Sequence, residues 1–443
     1  MRPAAALLAL CAAALPGCVE HSRLPDKADV GPNPTIVEPV TRLIPTIKVA
    51  EAKGWAAGAA PAPAPGLKVN ALATGLDHPR WIHVLPNGDV LVAETNAPPR
   101  PDDNKGVKAW FMKLFKKKAG AGTPSANRIT LLRDVDGDGV AELRTVFLDN
   151  LHSPFGMALV GDQLYVANTD AVMRYPYKAG ETRITAAGTR LTDLPGGARN
   201  HHWTKSLIAS RDGAKLYATV GSNSNAAENG IAEEEGRAAI WEIDTRTGAK
   251  RLFASGMRNP NGMGWESTTG QLWTVVNERD ELGSDLVPDY LTSVRDGAYY
   301  GWPYSYYGQH VDARVQPPRP DLVSKAIKPD YALGSHVAPL GMTFSDGAAL
   351  GSRFATGAFI GQHGSWNRKP LNGYNVVYVP FAGGKPSGNP VEVLGGFLNA
   401  SGEAQGRPVG VAIDKRGALL VADDVGNVIW RVSAASNVAA ATR

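Results

Sequence analysis

One phrase recurs along this chain, and it constrains the fold more than any other feature. A Pro- or polar-led start is followed by an apolar strand, a Gly/Asp turn, and a second strand ending in small or polar residues. It runs from His78-Pro79-Arg80-Trp81 through Pro86-Asn87-Gly88-Asp89 to Leu91-Val92-Ala93-Glu94. It returns at Ser153-Pro154-Phe155-Gly156, at His202-Trp203, at Asn259-Pro260-Asn261-Gly262, at Ala338-Pro339-Leu340-Gly341 and at Arg407-Pro408-Val409-Gly410. Six copies at roughly 60 residues each suit four-stranded blades with generous loops. A lone blade cannot bury both faces, so stacking around an axis supplies the core. The expected fold is therefore all-β, a six-bladed β-propeller. The alternative is a set of unrelated all-β sandwiches. No helix–strand alternation of the doubly wound kind appears, and no glycine-rich dinucleotide fingerprint follows a strand.

Loops at one end of a propeller channel converge. The leading phrases carry His202, Arg258, Asn259 and Arg407. Their repetition at equivalent places predicts that these side chains meet near the axis, despite wide separation in sequence.

Hydrophobic residues make up 43% and charged residues 20% of the chain. This excludes wholesale disorder, collagen and a multi-span membrane protein. The net charge is +4, but six lysines lie between Lys105 and Lys118 with no acid among them. Without them the chain is near neutral (+4 − 6 = −2), which argues against nucleic acid as a partner and leaves a local basic patch. Val107, Trp110, Phe111, Leu114 and Phe115 recur there at helical spacing, so residues 99–126 read as a basic amphipathic insertion in the first blade. Such a helix packs on the propeller with a solvated lysine face, lies on an anionic membrane, or docks an electron acceptor.

The N-terminus reads as a leader. Met1-Arg2-Pro3 precedes an apolar run from Ala4 to Leu15 and then Pro16-Gly17-Cys18. The run is too short for a permanent membrane span. Cys18 in this setting resembles a bacterial lipobox, which implies cleavage before it and lipidation of it; an ordinary secretory signal is the alternative. Cleavage removes Cys11 and lipid occupies Cys18, so the mature chain carries no thiol chemistry. Val19 follows, with no Asp retention signal, which resembles outer-membrane sorting. The expected layout is a leader at 1–17, a lipidated Pro/Ala-rich tether and linker at 18–66, the propeller at 67–433 and a tail at 434–443. The expected location is periplasmic and lipid-anchored, the anchor giving the chain a membrane partner.

Three segments carry a resemblance. Gly256-Met257-Arg258-Asn259-Pro260-Asn261-Gly262, Val276-Asn277-Glu278-Arg279-Asp280-Glu281-Leu282-Gly283 and Tyr300-Gly301-Trp302-Pro303-Tyr304 resemble the soluble glucose/L-sorbosone dehydrogenase family, within it the sorbosone dehydrogenase branch. The resemblance spans residues 67–433. It implies a six-bladed propeller that binds pyrroloquinoline quinone and calcium, oxidises a sugar aldehyde or lactol, and passes electrons to a carrier such as a cytochrome or membrane quinone.

It also implies roles. The family's base histidine stands five residues before a strand leucine, which here is His202 before Leu207, with His201 as the alternative. An imidazole suits proton abstraction near neutral pH. Arg258 and Asn259 match the pair beside the quinone oxygens, and Arg407 matches one of two family arginines near the final blade. The second falls on Val409, a departure that Arg368 or Lys369 is expected to offset. Asp280 and Glu281 align with the calcium-holding segment, where the cation acts as a Lewis acid. Ser222 stands where the glucose branch has an Asp, which leaves open what orients His202.

A separate metal pattern is Asp134-Val135-Asp136-Gly137-Asp138-Gly139-Val140-Ala141-Glu142. Asp134, Asp136, Asp138 and Glu142 occupy loop positions 1, 3, 5 and 9, with Gly at 6, between two apolar strands. This reads as a structural calcium hairpin without the position-12 Glu of an EF-hand. Two other functions fit a propeller: a calcium-dependent lactonase and a non-catalytic binding module at the envelope.

Overall fold

The computed structural model describes residues 20–41, 46–99 and 122–435. Six antiparallel blades surround one axis. The first holds Pro79–Val84, Val90–Glu94, Arg128–Arg133 and Leu143–Leu148. Met157–Val160, Gln163–Ala167, Ala171–Pro176 and Thr189–Asp193 form the second. The third comprises Leu207–Ala209, Lys215–Val220, Ala239–Asp244 and Lys250–Ser255. In the fourth, Asn259–Trp265, Leu272–Asn277 and Pro288–Ser293 are followed by Tyr331–Ser335 after a long excursion. The fifth is built of Pro339–Phe344, Gly357–Gln362, Asn375–Ala382 and Val391–Gly395.

The sixth blade closes the ring. Pro408–Ile413, Leu419–Asp423 and Val428–Ala434 take their outer strand from the start of the propeller, Leu67–Ala73, with Val432 opposite Val69. This pairing ties the two ends of the domain together across the whole sequence, so neither end of the ring leaves an open seam.

The repeated phrase has a packing cause. A Cβ added at Gly156 would collide with the Leu207 backbone, one at Gly262 with Met342, one at Gly341 with Val409, and one at Gly410 with Arg80. Innermost strands of successive blades therefore approach backbone to backbone, and only glycine permits that distance. Above these contacts the leading loops stack aromatics. Trp81 lies 4.8 Å from Phe155, and Phe155 lies 5.8 Å edge-on from Trp203.

The segment expected as a free tether is instead seated on the propeller over its described length. Val30–Gly31 adds a fifth strand to the fourth blade, Val30 opposite Leu333, and Ala62–Pro63 extends the fifth, Ala62 opposite Gly395. Proline has no N–H to donate, yet it serves a strand that pairs on one side only. Polar anchors hold the rest. Buried Glu20 accepts the Ser284 N–H at 3.0 Å, Asp29 accepts the Ser335 N–H at 2.7 Å, and the Trp55 indole donates to Asp423 at 2.7 Å. The leader, Cys18, most of the basic insertion (100–121) and the end of the tail (436–443) lie outside the described residues.

Candidate active site

Antiparallel pairing puts the start of each first strand beside the end of the second. Pro79 faces Glu94, Asn259 faces Asn277, Pro339 faces Gln362 and Pro408 faces Asp423. Chemistry-bearing residues in leading loops and in second-strand exits are thereby gathered at one end of the ring.

His202 stands in the loop before Leu207–Ala209. Its Nδ1 lies 2.7 Å from the Ser222 carbonyl and 3.0 Å from the Ser222 hydroxyl. A carbonyl only accepts, so Nδ1 carries the proton and the lone pair sits on Nε2. The main chain at Ser222 thus does the orienting that a carboxylate performs in the glucose branch. Ser222 is itself fixed, its N–H donating to the Arg258 carbonyl at 2.7 Å and its hydroxyl to the Ser224 carbonyl at 2.6 Å. Beneath the loop, fully buried Lys205 points its ammonium at the carbonyls of Trp203 (3.2 Å) and His202 (3.4 Å) and at Asn200 Oδ1 (3.5 Å). Burial pushes the Lys205 amine well below its usual range.

Asn259 meets His202 across Gly221, where a Cβ would strike both the Asn259 amide and the His202 side chain. Arg258 donates to the Glu278 carbonyl at 2.6 Å and pairs with Asp280 at 3.0 Å. Its Nε and the Asn259 Oδ1 are buried without partners. Arg407 stacks 5.2 Å over the Tyr374 ring and donates to the Ala50 carbonyl at 3.2 Å, and its Nε is likewise buried and unpartnered. The idle N–H donors of Arg258 and Arg407 suit an acceptor oxygen such as a carboxylate or carbonyl, while Asn259 Oδ1 needs a donor.

Two sequence expectations are corrected here. Asp280 does not present a cation site: its carboxylate is taken by Arg258, by Asn367 at 2.8 Å and by His336 at 3.5 Å. Burial alone would raise its pKa, but Arg258 and His336 hold it below the usual carboxylate range. The carbonyls that follow are equally committed. Asp280 O accepts from Asn225 and Arg314, Leu282 O from Val40, Gly283 O from His336 and Ser284 O from Arg368. Glu281 is exposed and lines a shallow cavity with Glu20, Thr46 and Asn367. With the Asp280 carboxylate taken by Arg258, Asn367 and His336, Asp280 and Glu281 do not fit as a cation-holding pair. Secondly, Arg368 is spent on Ser284 O (3.1 Å), Ser22 Oγ (2.9 Å) and Asp285 (3.8 Å), clamping the N-terminal segment. The neighbouring Lys369 carbonyl accepts the Ser22 N–H at 2.7 Å. Val409 is fully buried in the sixth blade's inner strand.

Asp134, Asp136, Asp138 and Glu142 bring one oxygen each within 4.8 Å of one another. Asp134 also accepts the N–H groups of Gly137 (2.7 Å) and Gly139 (3.0 Å) and meets Arg416 at 3.0 Å.

Sequence reasoning missed a second cluster at the same end. Asp424, just past Leu419–Asp423, is met by Arg80, by His363 at 2.9 Å and by His78 at 3.6 Å. Arg80 and His78 were visible within the first copy of the repeated phrase, at the place where Arg407 leads the sixth.

The TrAA12-like family model matches residues 125–289 and 322–435. An uncharacterized protein of Borreliella burgdorferi is 26% identical over 294 residues, covering 64% of this chain and 76% of that one. The pyrroloquinoline quinone-dependent pyranose dehydrogenase of Coprinopsis cinerea is 25% identical over 270 residues; the match covers 50% of this chain and 35% of that enzyme. Among solved structures, the holo pyrroloquinoline quinone domain of the Coprinopsis cinerea pyranose dehydrogenase superposes with a TM-score of 0.64 at 21% identity, covering 84% of this chain and 96% of that one. The calcium structure of the Trichoderma reesei AA12 enzyme gives 0.68 at 19% identity, covering 88% and 99%. With the family model spanning well over half of the residues, this chain belongs to the TrAA12-like family.

Proposed function

We propose that this chain oxidises an aldose or ketoaldose, of the sorbosone type, at an aldehyde or lactol carbon, with pyrroloquinoline quinone as hydride acceptor. The observation that carries this reading is the meeting of His202 and Asn259 at Gly221, with Arg258 next in the chain, and the buried, unpartnered Arg258 Nε and Asn259 Oδ1. Bound there, the quinone would supply an electrophilic carbon for hydride. His202 Nε2 takes the hydroxyl proton, and the Ser222 carbonyl steadies the imidazolium that results. Arg258, through its idle Nε–H, and Asn259 would be the residues that hold the quinone's oxygens. Electrons then leave to a carrier such as a cytochrome or membrane quinone. Cleavage of a leader at 1–17 and lipidation of Cys18 would put the enzyme outside the cytoplasm on a lipid anchor.

The test uses the full chain, purified and given pyrroloquinoline quinone, with sugar-dependent dye reduction read across a panel containing L-sorbosone and glucose. Reduction that requires both the quinone and the sugar is the expected result. Lactone hydrolysis without quinone would replace this reading with a lactonase, and neither activity would leave a binding propeller.

We assign calcium a structural role at the Asp134–Glu142 hairpin. Calcium is expected to raise the melting temperature of the wild-type chain, and Asp136→Asn to abolish that rise. An equal rise in the variant overturns the assignment.

A further inference from the structure

The chain enters the propeller beside the site. Residues 20–23 are pinned between two loops that leave second strands, one in blade four and one in blade five. Buried Glu20 accepts the Ser284 N–H at 3.0 Å. The Ser22 hydroxyl and the Arg23 N–H donate to the two oxygens of Asp285 at 2.5 Å and 2.7 Å, and the Ser22 N–H donates to the Lys369 carbonyl at 2.7 Å. Ser284 and Asp285 belong to the same loop as Asp280, the partner of Arg258. The seat of residues 20–23 is therefore at the end of the ring where His202, Arg258 and Arg407 gather.

This seat limits where an anchor can be. Cys18 precedes Glu20 by two residues, and two residues of extended chain span at most about 7 Å. A lipid on Cys18 thus attaches beside the mouth of the site, at the border of blades four and five. A long free tether would let the propeller turn above a membrane, whereas a seat two residues after the anchor does not.

Charge is divided around this end of the ring. Over the described part of residues 20–66, four exposed side chains are basic (Arg23, Lys27, Lys48 and Lys53) and two are acidic (Asp26 and Glu38). Lys48 lies beside blade five, its N–H donating to the Trp366 carbonyl at 2.9 Å. Farther round, Glu94 pairs with Arg128 at the same end of blade one, and the chain that leaves after one and returns before the other carries six lysines. Acids gather elsewhere. In blade three the loop between Lys215–Val220 and Ala239–Asp244 leaves Glu228, Glu233 and Glu235 exposed. Blade three lies across the ring from blade six, which sits between blades five and one.

We propose that this end of the propeller is a membrane-contacting face. Along blades four, five and six it rests on the anionic phospholipid surface to which Cys18 is anchored, and the acidic rim of blade three is held up from that surface. The proposal rests on the reading above for the lipid on Cys18; the seat of residues 20–23 stands without it. Anionic headgroups attract the basic side and repel the acidic rim, both within about 10 Å of the surface. Sugar then enters from the raised side, and a carrier dissolved in the lipid meets the site without leaving the membrane.

Cysteine content makes the test clean. Cleavage before Cys18 removes Cys11 and lipid occupies Cys18, so one introduced cysteine takes a single fluorescent label. Three exposed positions report on the face. Lys48→Cys marks the anchored side, and Glu233→Cys marks the rim of blade three. Lys415→Cys lies in the hairpin after the six-residue strand Pro408–Ile413, about 20 Å away at the opposite end of the blades. The full-length lipidated chains are reconstituted in vesicles of phosphatidylcholine and phosphatidylglycerol that carry a headgroup spin label, and the quenching of each fluorophore is measured. The label at Lys48→Cys is expected to be quenched several-fold more than those at Glu233→Cys and Lys415→Cys. Quenching at Lys48→Cys no stronger than at either of the other two overturns the face. Mass spectrometry of the same preparations reads the lipid itself. An unmodified Cys18 overturns the anchor and the face together, whereas a lipidated chain without the quenching difference overturns the face alone.

Discussion

Replacing His202 with alanine lowers sugar turnover by about 10²–10⁴-fold, the range spanned by a positioned general base, while pyrroloquinoline quinone binding changes little. The separation follows from where the donors sit. On the proposed reading the ligand would be held by Arg258, Asn259 and Arg407, whose side chains keep idle polar atoms for it. The ring is held through Nδ1 by the Ser222 carbonyl, a main-chain atom. Ser222→Ala is therefore expected to keep turnover within about tenfold of the wild type, since it removes one hydrogen bond to the hydroxyl and keeps the carbonyl. Steady-state dye reduction and direct titration of the quinone check both variants. Near-normal turnover in His202→Ala would move the base to His201 or His363.

The ring of blades was legible because its cause is local and repeated. Gly156, Gly262, Gly341 and Gly410 each answer the same backbone approach, so the same short phrase must recur. His202, Arg258, Asn259 and Arg407 followed, because equivalent positions in a closed ring meet at the axis. Partner choice was not legible. Asp280 reads as a cation ligand by alignment, but whether its carboxylate faces a metal or Arg258, Asn367 and His336 depends on three loops far apart in sequence. The Pro/Ala-rich segment failed for a related reason. Its composition suits a linker and a singly paired edge strand equally, and the deciding partners, near Leu333 and Gly395, lie hundreds of residues away. Arg80 escaped notice because its role depends on Asp424 across the closure of the ring.

Arg279→Ala is expected to destabilise the domain by about 3–5 kcal/mol, the usual consequence of removing one partner from a buried ion cluster. Arg279 is wholly buried within the Asn277-Glu278-Arg279-Asp280 segment. Its guanidinium donates to Glu278 at 3.0 Å, to Asp312 at 2.9 Å, to Pro303 O at 2.8 Å and to Ser305 O at 2.6 Å, and lies 5.6 Å over the Tyr306 ring. Alanine leaves two buried carboxylates short of a cation and two carbonyls without donors. Lysine keeps the charge but cannot span four acceptors, so Arg279→Lys recovers less than half of the loss. The pH dependence supplies an independent check. Burial would raise the Asp312 pKa, yet Arg314 and Arg279 bring it down to about 2. A depressed folded-state value adds stability above the unfolded pKa of 3.8 that is lost as pH falls toward about 2. In Arg279→Ala this part of the acid transition is smaller than in the wild type. Denaturant unfolding at pH 7 and at pH 3 measures both quantities, and a loss below about 1 kcal/mol at pH 7 would show that the cluster is not holding the fold. The same variant weakens quinone binding, because the Glu278 carbonyl that fixes Arg258 belongs to the segment Arg279 anchors.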